Sequence, residues 1–110
     1  MLGWIVGGII VAGILAAFWD DLVDWLNDAI KTVKATVRGV YRGVKVFVQK
    51  TWEGVKEISK HYSQVGEHWE ETVVKRTISE SEVPEDILRM ACSGQEVDIT
   101  RELELQLSSH

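Results

Sequence analysis

The first nineteen residues, MLGWIVGGIIVAGILAAFW, contain no charged side chain, and Asp20 and Asp21 end the run. About 20 apolar residues is the length of a helix that crosses a bilayer. The pattern therefore predicts a membrane-inserted helix over residues 1–19. Trp4 and Trp19 stand near its ends, where interfacial aromatic belts lie. Ile5, Ile9, Ile10 and Ile14 supply lipid-facing bulk. Gly8, Ala12 and Ala16 recur at four-residue spacing and offer a small-residue face for close helix packing. A secretory signal is disfavoured, because no Lys or Arg opens the run and no small-x-small site closes it. The rival reading is a hydrophobic helix buried at the centre of an oligomer.

From Leu22 onward the apolar positions follow a helical wheel. Leu22, Leu26, Ala29, Ile30, Val33, Val37, Val40, Tyr41, Val44, Phe47, Val48, Trp52, Val55, Ile58, Tyr62, Val65, Trp69 and Val73 fall within one arc at 100° per residue,. Trp25 and Val46 stray outside it. The phase does not reset, which predicts one long amphipathic helix within residues 20–78, about 80 Å at 1.5 Å per residue. Gly39, Gly43, Gly54 and Gly66 each cost ~1 kcal/mol relative to alanine in a helix, so a kinked or two-part helix is the alternative. Within the stripe, Val33, Val37, Val44, Val48 and Val55 are the expected contacts between copies.

The same stripe shows an eleven-residue spacing, as in Val33, Val44 and Val55, which corresponds to a nearly straight helix. Lys50-Thr51-Trp52-Glu53-Gly54-Val55 resembles the KTKEGV unit of the synucleins, with Trp52 in place of a lysine. The resemblance covers one unit, with Thr36–Val40 a looser echo. It implies a helix lying on a membrane surface.

After Thr77 the pattern changes. Ser79-Glu80-Ser81-Glu82 reads as a linker, and Pro84 with Glu85 and Asp86 opens a short helix. Beyond it, Val97, Ile99, Leu103, Leu105 and Leu107 alternate with polar residues. Period two predicts a strand over 97–107. No second strand is legible, so this one is expected to pair outside its own chain.

Charge is segregated. Residues 20–28 hold four aspartates and no base, 31–60 hold eight Lys/Arg and two Glu, and 61–110 return to acid. Lys31, Lys34 and Arg38 follow the apolar run and none precedes it, which places the C-terminal part in the cytoplasm of a single-pass protein. The lone Cys92 excludes a disulfide framework. His61 and His68, with Glu57 and Glu71, could share a helix face, but such clusters are commonly solvated, and no metal site is expected. No activated nucleophile, phosphate loop or nucleic-acid motif appears, so no enzyme, cofactor or nucleic-acid partner is expected.

The sequence thus predicts a mainly α protein: a membrane helix (1–19), a long amphipathic helix (20–78), then a short helix and a single C-terminal β-strand (79–110). The expected function is a non-enzymatic, membrane-anchored subunit of a homo-oligomeric ring, pore or filament. Its expected partners are membrane lipid, other copies and a protein met by the C-terminal strand. The alternatives are a membrane-perturbing, toxin-like effector and an adaptor that recruits a soluble partner through that strand.

Overall fold

A computed structural model describes residues 5–6 and 17–108. Its centre is an antiparallel meander of three long strands: β2 (Val40–Thr51), β3 (Gly54–Val65) and β4 (His68–Ile78). A short strand β1 (Ile5–Val6) pairs with β2 at Gly43 and Val44. Helix α1 (Ala17–Thr36) precedes the meander. A 3-10 turn (Glu80–Glu82), helix α2 (Glu85–Met90), strand β5 (Val97–Asp98) and helix α3 (Thr100–Ser108) follow it.

This is not a mainly α fold, and the long helix is corrected. The apolar stripe is helical only through α1, where Leu22, Leu26, Ala29, Ile30 and Val33 are buried. Gly39 then brings the chain against β3. A Cβ there would collide with the Gln64 carbonyl, so the strand can pass this close only as glycine,. Two-residue turns do the rest. Gly66, at φ 63, takes the first turn position between β3 and β4, where primed hairpin turns call for glycine,. The synuclein-like unit lies across the other hairpin: Trp52 and Glu53 form its tip, and Trp52 is 93% exposed.

The membrane helix is corrected as well. Among the described residues no helix is long and apolar enough to cross a membrane, so single-pass placement is not supported. Ile5, inside the expected span, belongs to a strand. Trp19 and Phe18 open α1 and pack edge-to-face at 5.0 Å between ring centroids within the core. Trp4, Gly8, Ile9, Ile10, Ala12, Ile14 and Ala16 lie outside the described residues.

All three helices add to one core. Phe18, Trp19, Leu22, Val23, Leu26 and Ile30 of α1 meet Val44, Val46 and Val48 of β2 and Val55 of β3. Val83, Ile87, Ala91, Ile99 and Leu103 complete it from the C-terminal segment. The expected C-terminal strand is therefore mostly helix. Only Val97 and Asp98 are extended, and they pair with Val48 and Phe47 of the same chain. The Asp98 carboxylate accepts the Thr100 N–H at 2.9 Å, and the Ile99 carbonyl takes the Leu103 N–H at 3.0 Å, which starts α3,.

Candidate functional site

Two arrangements of polar groups stand out: the inner column of β3 and the outer edge of β4. Register fixes the first. Val44, His61 and Thr72 form one row across the sheet, Val46, Ser59 and Val74 the next, and Val48, Glu57 and Arg76 the third. The β2 column is valine, as a core requires. The β3 column is Glu57, Ser59, His61 and Ser63, all buried.

An unpaired polar group in a core is costly; Glu57, Ser59 and His61 each find a partner, whereas the Ser63 hydroxyl meets none among the described residues. The Ser59 hydroxyl donates to the Val74 carbonyl at 3.3 Å. It therefore accepts from His61 Nε2 at 2.7 Å, and His61 Nδ1 accepts from the Tyr41 hydroxyl at 2.7 Å,. Burial pushes His61 down to about 4 and Tyr41 well above its ordinary range, so the imidazole is neutral and the phenol protonated,. One row away, Arg76 bridges Glu57 at 2.5 Å and Asp21 of α1 at 2.6 Å. The Trp25 ring lies 5.0 Å from the same guanidinium. Burial raises the Glu57 carboxyl, and Arg76 holds it partly back.

A serine beside a histidine invites a catalytic reading, but the proton runs the wrong way. Ser59 accepts from the ring instead of giving to it, and both residues are fully buried,. The column joins β2, β3 and β4 and ties β4 to α1. Two open clefts of about 450 and 410 Å³ lie at opposite ends of this helix-covered face. The first is lined in part by Phe18, Ile78 and Glu82, the second by Arg38, Glu70 and Glu71.

The second arrangement follows from where backbone groups point. Val46 takes the Ile99 N–H on its carbonyl and gives its own N–H to Thr100 Oγ1, both at 2.9 Å. Both Val46 groups thus face away from β3. Ser59, opposite Val46, then turns its backbone toward β4, and Val74 turns its own back to meet it,. It follows by alternation that Trp69, Glu71, Val73, Lys75 and Thr77 direct their N–H and C=O groups outward. Among the described residues no strand pairs with that edge. The outer edge of β2, by contrast, meets β1, then Thr100, then β5.

The residues singled out from sequence are dispersed over these elements. Val33 is buried in α1, Val37 follows its last turn, and Val44, Val48 and Val55 are buried in the sheet. All but Val37, which is half-buried, face the chain's own core. Val97 lies in β5, Ile99 and Leu103 are buried, Leu107 is half-buried and Leu105 is 56% exposed. His61 and His68 do not converge: the first is buried opposite Thr72, the second exposed opposite Val65. The signal missed was alternation. Glu57, Ser59, His61 and Ser63 stand at every second position, a polar period of two that a helical wheel scatters. Comparisons with protein-family models, with curated proteins and with solved structures find no match.

Proposed function

We propose that this protein is a non-enzymatic, self-associating structural subunit whose copies join through the outer edge of β4. One observation carries this reading. β4 is an eleven-residue strand with one edge unpaired among the described residues, and such an edge is a template for another strand. Its inward side is also incompletely covered, since Thr72, Val74, Arg76 and Ile78 are only half-buried. Val33, Val44, Val48 and Val55, expected to join copies through a helical stripe, are buried inside the fold, so the contact between copies moves from helix to strand.

The polar column supports a structural role. It is closed to substrate, and it ties the edge strand firmly to α1, which gives an outer strand the rigidity that pairing needs.

The test is the solution mass of the full chain, by light scattering and sedimentation, with Val73→Pro beside it. The Val73 N–H points outward, so proline removes a donor from the open edge and none from the β3 ladder. The reading expects an oligomer that Val73→Pro takes to monomer with its circular dichroism unchanged. A monomeric wild type at all concentrations overturns it.

A further inference from the structure

We infer that the partner at this edge is a second copy of the same chain, joined β4 to β4, antiparallel, with Val73 on the twofold axis. The inference rests on the proposed self-association and specifies its geometry.

A twofold axis perpendicular to a continuous sheet keeps each face on its own side. Directly opposed residues in an antiparallel pair also share a face. The axis must therefore pass through a residue and not between two. That leaves a short series of registers, and the sequence HWEETVVKRTI separates them. Centred on Val73, Glu71 faces Lys75 of the other copy, and Lys75 faces Glu71. Glu70 faces Arg76 on the opposite side of the sheet, Thr72 faces Val74, and Val73 meets itself. Centred on Thr72, Glu71 faces valine and Trp69 faces lysine. Centred on Val74, Val73 faces lysine and Glu71 faces threonine. Centred on Glu71 or Lys75, like charges meet on the axis. Only the Val73 register pairs acid with base on both sides of the axis.

The side chains are placed for this. Glu70, Glu71, Val73 and Lys75 are exposed, and no ion pair within the chain engages Glu70, Glu71 or Lys75 among the described residues. Glu71 already accepts a hydrogen bond from Tyr62, and a carboxylate has room for a lysine as well. Arg76 is held by Glu57 and Asp21, so the Glu71–Lys75 pairs are the ones that select the register. The backbone agrees with them. Val73 points its own N–H and C=O outward, so the two copies exchange both hydrogen bonds at the axis.

The experiment uses the full chain with Cys92→Ser, which removes the exposed thiol. Opposed Cα atoms in a hydrogen-bonded antiparallel pair are about 5.5 Å apart, within the reach of a disulfide. Val73→Cys should therefore give a covalent dimer on mild oxidation. Val74→Cys should not, because two residues of offset put its copies about 8 Å apart. Lys75→Glu should raise the dissociation constant about tenfold by opposing two glutamates. Adding Glu71→Lys to it should restore the dimer, because the pairs re-form with exchanged signs. Suppose Val73→Pro dissociates the oligomer, but Val73→Cys fails to cross-link and the double exchange fails to rescue. The register is then wrong while the edge stands. If the wild type is monomeric, the register and the proposed function fail together.

Discussion

Along the outer edge of β2, successive backbone groups meet a strand, a hydroxyl and a second strand. Along the outer edge of β4, no strand pairs among the described residues. Both belong to one sheet, and both would attract foreign strands if left bare. The covered edge is assembled from both ends of the chain and sits beside the apolar core. The open edge carries its control in its side chains, with acids before Val73 and bases after it. Mixed charges on an edge strand ordinarily repel unwanted pairing. Sorted about a midpoint, they exclude most registers and admit one.

The largest expected effect breaks the covered edge. Ile99 is fully buried and its N–H holds Val46. Ile99→Ala should cost about 3–4 kcal/mol in urea denaturation, from lost burial and the cavity left behind.

The next effect acts on β3, between the two edges. His61 stays neutral down to about 4, whereas its ordinary value is 6.5. Between those values the unfolded chain binds more protons, so stability should be complete above 6.5 and fall as the pH drops toward 4. The loss should approach about 3 kcal/mol. Glu57, raised by burial, acts in the opposite sense, because protonation relieves its buried charge. Denaturation across pH in His61→Asn should therefore show the fall abolished. A fall that persists would assign it elsewhere.

A smaller effect separates hydroxyl from shape. Thr100→Val keeps the volume but leaves the Val46 N–H unpaired, at a cost of about 2 kcal/mol by the same assay,. The smallest effect on stability lies on the open edge. Val73→Pro should change the monomer by about 0.5 kcal/mol or less, because no internal hydrogen bond is lost. A large destabilisation would show that the outward direction has been assigned to the wrong residues.

How far the sequence could be read follows from one coincidence of periods. Residues four apart share a face in a helix, and they share one in a strand too. Val44 and Val48 therefore satisfied the helical stripe while sitting in β2. Ile99, Leu103 and Leu107 satisfied a strand although α3 carries the last two. Only residues two apart decide. Val46, off the stripe yet buried, marks a strand; Leu105, on the alternation yet exposed, marks a helix. Within α1 the stripe was legible because Leu22, Leu26, Ala29, Ile30 and Val33 include three-residue steps that no strand shares. The turns were present as glycines but were counted as helix costs. The β3 column was illegible for a different reason: polar residues were assigned to solvent, and only register reveals that Tyr41, Val74 and Arg76 receive them.

The bond between Val46 and Thr100 spans 54 residues, which gives the covered edge a history. Hairpins close locally, within about ten residues of their turns, so the meander can form while the chain is still being made. Synthesis proceeds at about 5–20 residues per second. For several seconds after β2 has paired with β3, the groups of Val46 have no cover, since Thr100 does not yet exist. During that interval the edge of β2 beyond β1 and the whole edge of β4 are open, and neighbouring nascent chains are nearest to one another. Amide hydrogen exchange at Val46 reads the end of this interval directly. Its protection arrives with the docking of α3, later than that of Ser59 or Val74, and dates the moment when one edge is withdrawn from contact and the other remains.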